Sequence, residues 1–243
     1  MKPVIWFAVS TGSWRPAGTI PHCRTNFRHV DSQAKPPGGG IMNRGSTRKH
    51  LGKARDTVTE VDRIVSSHTY PDDTRTVMVR GLLATMIQYH RSVLLSVQSG
   101  IVAPAYSLTR NIINGLRFGL WVISCATQEQ VHHIEEDEEF ELTPEMIKDM
   151  QSAYAADPFF CNLKGLWDTQ ISKYTRRRVV ELGRWHTGLS AGLDFDEARI
   201  LDVTTAATLC IVLLAAKFLE DQKHLADSKQ IETLAADYPP PVS

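Results

Sequence analysis

The chain has 243 residues, 27 Lys plus Arg against 27 Asp plus Glu, 42% hydrophobic and 22% charged residues. That length permits one large domain or two small ones with a sizeable core. Exact charge balance removes any global electrostatic case for nucleic acid or an anionic membrane, so only local patches are left to argue from. The four cysteines, Cys23, Cys125, Cys161 and Cys210, include no C-x-x-C pair. They read as buried free thiols in a reducing compartment, which makes the cytoplasm the expected location. No clustered ligand spacing points to a metal, and nothing in the pattern asks for a cofactor.

Residues 1–45 differ from the rest. Pro3, Pro16, Pro21, Pro36 and Pro37 accompany Gly38-Gly39-Gly40, the first glutamate is Glu60, and no hydrophobic period persists. Such composition cannot bury enough surface to offset chain entropy, so the segment is expected to be a disordered extension. Met42, directly before the first helical pattern, reads as the true start. The apolar run Val4–Val9 is too short for a secretory leader and is broken by Ser10 and Gly12.

A helical texture then begins, and residues 46–226 read as one bundle domain followed by a tail over 227–243. Leu51, Ala54, Val58, Val61 and Val65 recur at helical spacing over residues 48–67. Tyr70-Pro71 breaks the pattern, and Asp72, Asp73 or Thr74 caps the next helix. Over residues 75–99, Val79, Leu83, Met86, Ile87, His90, Leu94 and Val97 share one face. His90 within that stripe is expected to bond a neighbouring carbonyl. Pro104 sits in the first turn of a helix reaching Cys125, with Leu108, Ile112, Ile113, Leu116, Leu120 and Ile123 on a wide apolar face. Short helices are predicted over 128–135, 144–155 after Thr143-Pro144, and 163–174. A last long helix is expected from Phe195 to about His224, with Ile200, Val203, Ala207, Cys210, Leu214 and Phe218 at core spacing. Its apolar run 210–216 falls short of the roughly 20 residues that span a bilayer, so no membrane association is expected. Without strand alternation, the fold class is all-α, a bundle of about five to seven helices.

Two polar constellations stand out. Tyr106, Arg110, Asn114, Arg117 and Trp121 fall on one stripe of the third long helix, opposite its apolar face. Guanidinium groups grip carboxylate or phosphate in a fork, and aromatic rings stack on them. Arg110, Asn114 and Arg117 are therefore anion-binding candidates; the alternative is a solvated or salt-bridged helix face. The second constellation runs Lys173-Tyr174-Thr175-Arg176-Arg177-Arg178 and then Arg184-Trp185-His186. Cations interleaved with aromatics suit phosphate backbones and unstacked bases, which adds Tyr174, Arg176, Arg177 and Arg178 to the candidates. An exposed helix end has the same look, and the acidic run 135–139 could face the cluster within the chain or across a homodimer. The adjacent His132 and His133 point to different faces of a helix and make a poor metal pair. No G-x-S-x-G, H-E-x-x-H, G-x-x-x-x-G-K-[ST] or G-x-G-x-x-G is present.

The stretch Ala105-Tyr106-Ser107-Leu108-Thr109-Arg110-Asn111-Ile112-Ile113-Asn114-Gly115-Leu116-Arg117-Phe118-Gly119-Leu120-Trp121 resembles a signature of an uncharacterised bacterial helical family, roughly L-x-R-P-x-x-E-x-x-x-R-G-x-W. Cys125–Val131 also fits. Tyr174-Thr175 matches the start of that family's Tyr-Thr-His-Gly-Gly element, and Leu182–Gly188 and the last helix continue the likeness over residues 50–222. The family's Pro and Glu are Asn111 and Asn114 here, and its His-Gly-Gly is Arg176-Arg177-Arg178. The resemblance implies a helical domain, without an activity to carry over, in which this member lacks the family's Glu and His.

Families of this look have been compared with HEPN helical domains, many of them ribonucleases in toxin and defence systems. Their Arg, four-to-six-residue, His motif occurs here as Arg63–His68 and Arg44–His50, outside the late helices where it belongs. Two functions follow as expectations. The first is a cytoplasmic binding or interaction domain, forming a homodimer, with a buried arginine-rich site for RNA or another anion. The second is a HEPN-like ribonuclease or toxin, with Arg110, Arg117 and His186 as its electrostatic and acid–base groups.

Overall fold

The computed structural model describes residues 44–99, 102–136, 142–158, 160, 161, 164, 197–236 and 238. Over these residues the chain is all-α, with seven helices. Of the extension expected over 1–45, residues 1–43 lie outside the described residues and Arg44 and Gly45 already belong to a helix; the helix predicted over 163–174 lies outside the described residues, the helical residue Lys164 excepted.

The first helix, α1 (Arg44–Ser66), buries Leu51, Ala54, Val58 and Val61, the stripe its sequence spacing predicts. Tyr70-Pro71 ends that run, and α2 (Thr74–Gln98) starts at Asp73, whose carboxylate accepts from the Thr76 amide at 3.0 Å. That bond satisfies one of the amides a helix start leaves open. On α2 every predicted core position from Val79 to Val97 is buried, His90 included. His90 is corrected in one respect. Its Nε2 meets the Thr208 hydroxyl at 2.9 Å, a side chain far along the sequence rather than a nearby carbonyl.

Next in sequence, α3 (Val102–Ser124) lies against α2, and its end lacks a basic residue of its own. Arg75, from the first turn of α2, supplies one. Its guanidinium donates to the carbonyls of Val122, Ile123 (3.4 Å) and Ala126 (2.7 Å), capping the negative end of the neighbouring helix. Replacing Arg75 with methionine keeps most of the stem and leaves these acceptors unmatched. The expected loss is roughly 1–3 kcal/mol, read as a lower urea midpoint at unchanged slope.

Two short helices follow, α4 (Gln128–Glu136) and α5 (Pro144–Ala153). Thr143 caps α5 by accepting from the Met146 amide, with Pro144 in its first turn as predicted. The α5 end closes onto α3, where the Tyr154 hydroxyl meets Ser124 at 2.5 Å.

The centre of the bundle is α6 (Glu197–Asp221), which packs against α1, α2, α3 and the last helix. From Val203 to Ala216 it is buried all round, as a helix enclosed by others must be. Gly119 lets α3 approach it closely. A Cβ at that position would stand 2.6 Å from Leu214 Cδ1 and 3.1 Å from Leu82 Cδ2. The apolar stretch is longer than the 210–216 run alone. Ile200–Asp221 is long and apolar enough to cross a membrane, and 78% of its most apolar window is buried inside the bundle. Protein side chains therefore cover it here.

The expected tail over 227–243 is corrected. A seventh helix, α7 (Leu225–Ala236), occupies its first half, with Ser228 and Ile231 buried and Leu234 partly buried against the core. Tyr238 beyond it is buried as well, its hydroxyl donating to Thr57 Oγ1 at 3.2 Å. One apolar residue per turn among polar neighbours is a weak periodic signal. Packing on α6 and α1 stabilises what local propensity leaves undecided.

Candidate anion-binding face

The polar stripe of α3 splits when the helix packs. Arg110 and Asn114 are exposed, Arg117 is half-buried, and Tyr106 and Trp121 are core residues at 3% and 2% exposure. The expectation that the two aromatics share one polar stripe with the arginines, opposite the apolar face, is corrected. At the C-terminal end, α5 closes over α3, and the Trp121 ring lies nearly parallel to Phe118 with centroids 6.5 Å apart. Tyr106 borders the apolar arc of the helix and turns into it. The expected burial of the arginine site is likewise corrected for Arg110, which faces solvent.

What remains is a basic face, Arg110 to Arg117, about two turns long. From Val102 to Ser124 the helix holds two arginines and no aspartate or glutamate. Arg110 makes no ion pair among the described residues, and Asn114 lies one turn further along. A guanidinium with five fixed donors, followed by an amide with two, can grip a phosphate or carboxylate from the solvent side.

Tyr174, Arg176, Arg177, Arg178 and His186 lie outside the described residues, as do residues 137–139 of the acidic run. Within α4, His132 and His133 are both exposed, and His132 Nδ1 stands 3.5 Å from a Glu135 carboxylate oxygen. The cysteines depart from expectation. Cys210 is buried, but Cys125 is half-buried and Cys161 exposed.

Sequence reading missed a set of polar contacts along α6. His50 Nε2 lies 3.1 Å from Thr204 Oγ1 and 3.2 Å from Thr205 Oγ1, one turn below the His90–Thr208 pair. Burial, reinforced by the charge of Lys53, holds His50 below the usual imidazole range. These hydroxyls also bond the preceding turn, Thr208 to the Thr204 carbonyl at 2.8 Å, so each histidine finds a fixed partner. Three threonines inside an otherwise apolar helix were the available signal. The contacts are closed and internal, which makes them fold determinants rather than a ligand site. A shallow groove between α1 and α7, lined by Lys49, Lys53, Asp56, Glu60 and Leu234, mixes both signs of charge without a convergent set.

No protein-family model, curated protein or solved structure matches the chain.

Proposed function

We propose that this chain is a non-catalytic binding protein that uses the outward face of α3 to hold an anionic partner, single-stranded RNA being the one to test first. The carrying observation is Arg110: solvent-facing, without an ion pair among the described residues, on a helix devoid of acids. A cation left unneutralised on such a surface costs little to desolvate against phosphate and gains a charge-assisted bond. The basic and aromatic sequence Lys173–His186 carries the same chemistry on the same chain. The family resemblance points the same way. Asn114 stands where that family has Glu, and Arg176–Arg178 stand where it has His-Gly-Gly, changes that remove an acid and a proton carrier and add positive charge. In this reading the protein acts in the cytoplasm as a homodimer.

Fluorescence anisotropy with a labelled single-stranded RNA tests the proposal. Wild type binds, and Arg110→Ala weakens binding roughly 10-fold, the scale of one lost phosphate contact at about 1.4 kcal/mol. RNA left intact after prolonged incubation separates binding from hydrolysis. Cleavage abolished by His186→Ala would instead establish the ribonuclease, and absence of binding by wild type removes RNA as the partner.

A further inference from the structure

The two ends of the domain meet at a cluster that belongs to none of the features above. After α1, the Ser67 amide and hydroxyl both bond the Ile64 carbonyl, at 3.1 and 2.7 Å, and the Tyr70 hydroxyl bonds the Val65 carbonyl at 2.8 Å. This tight turn projects His68 back toward the α6–α7 corner. There, Lys223 holds a positive φ of 66°, the Lys223 amide bonds the Glu220 carbonyl at 3.0 Å and the His224 amide bonds the Leu219 carbonyl at 2.8 Å. That is a Schellman closure, here made with lysine at a position glycine usually fills. It fixes His224 at the entry to α7, whose first turn carries Asp227 three residues on, on the same side of the helix.

We propose that His68, His224 and Asp227 form a site for a divalent transition metal of the zinc class. One ligand atom from each lies within 4.8 Å of the other two, and His68 Nε2 is already 3.1 Å from Asp227 Oδ2. Bonds of about 2.0–2.1 Å in tetrahedral array set ligand atoms roughly 3.4 Å apart, so one pair has the required separation and the rest is side-chain rotation of about an ångström. His68 Nε2 is sealed from solvent and makes no aligned hydrogen bond: the aspartate oxygen lies near it but off the donor direction. A buried ring nitrogen in that state has an unmet bonding requirement that a metal satisfies.

The surroundings support the same conclusion. The two imidazoles stack at 4.0 Å with planes 27° apart, and Tyr70 sets its edge region against both rings at 6.1 and 5.9 Å. Tyr70 is itself packed on Phe218 at 5.0 Å, so an aromatic wall excludes water from one side and limits ring rotation. Arg63, the nearby cation facing Asp227, is held by Glu60 through bonds of 2.8 and 2.6 Å, so its charge is largely neutralised locally. Two imidazole nitrogens and one carboxylate favour zinc, cobalt or nickel over calcium and magnesium, which take all-oxygen sets. Three protein donors leave a fourth position to water, and His68 and Asp227, at 22% and 34% side-chain exposure, leave a path to it. The inference is independent of the α3 face.

Cobalt(II) reports on the site through its visible d–d bands. EDTA-treated full-length protein is expected to take up one equivalent of Co²⁺ with intense bands of low-coordinate N/O ligation. Zn²⁺ should displace it and raise the melting temperature, whereas Mg²⁺ should do neither. Asp227→Asn and His68→Ala should each weaken Co²⁺ binding beyond the roughly 10–100-fold typical of losing an outer-shell partner, with helical circular dichroism retained. Should His68→Ala fail to fold, the nearly isosteric Asp227→Asn, at a half-exposed position, decides alone. Absence of bands in wild type, or bands of equal affinity in the variants, would overturn the site.

Discussion

Phe218→Ala is expected to cost roughly 3–5 kcal/mol, because it empties a large aromatic volume at a point that cannot collapse. Phe218 is 1% exposed near the C-terminal end of α6, the helix that α1, α2, α3 and α7 all pack against. Its ring faces Tyr70 at 5.0 Å, and Tyr70 is itself tied to the Val65 carbonyl and covered by Arg80, whose guanidinium lies 5.1 Å from the ring centre. Neighbours fixed by their own bonds do not relax into the gap, so the cavity term adds to the lost transfer energy. Urea denaturation monitored by circular dichroism measures it. A loss below about 1 kcal/mol would show that this end of α6 is not enclosed as described.

Acid should weaken the fold through His90. Burial, helped by the charge of Arg91, pushes its pKa down to about 4, against an ordinary 6.5. The folded state therefore binds fewer protons than the unfolded chain between those two values. His90's contribution is fully present above 6.5 and drains away as pH falls toward 4. That interval corresponds to on the order of 3 kcal/mol. His50, also held low, contributes with the same sign. Burial rather than the pairing retains the neutral form: the Thr208 O–H donates to the Thr204 carbonyl, so its oxygen accepts from His90 Nε2–H at 2.9 Å, and no carboxylate is bonded among the described residues to stabilise a charged ring. Urea midpoints at pH 7.5 and 4.5 should diverge less in His90→Met, which keeps an apolar side chain of similar volume and removes the titration. An equal divergence in that variant would assign the acid sensitivity elsewhere.

Legibility followed the strength of the packing signal. On α2 a single apolar face meets a single core, so spacing alone identified its buried residues from Val79 to Val97, Val93 excepted. The α6 core positions Ile200, Val203, Ala207, Cys210, Leu214 and Phe218 are all buried, but α6 is enclosed all round from Val203 to Ala216, so spacing named only part of its buried set. On α3, periodicity placed Arg110, Asn114 and Arg117 together but could not foresee that Tyr106 and Trp121 are buried, since that burial is set by tertiary packing alone. The helix α7 was hidden because its stability comes from docking rather than propensity. The His68, His224 and Asp227 cluster was invisible for a topological reason. Its members come from opposite ends of the domain, and only the return of α7 beside α1 brings them together.

The salt dependence of RNA affinity tests the α3 assignment most directly. Each phosphate contact released by added salt contributes about 0.7 to the slope of log affinity against log salt for a single strand, so the number of arginines engaged is countable. Wild type should show a negative slope that becomes shallower by roughly one contact in Arg110→Ala, with the melting temperature unchanged because Arg110 is exposed and holds no ion pair among the described residues. Identical slopes and affinities for the two proteins would mean that Arg110 touches no phosphate and that the outward face of α3 is ordinary solvated surface.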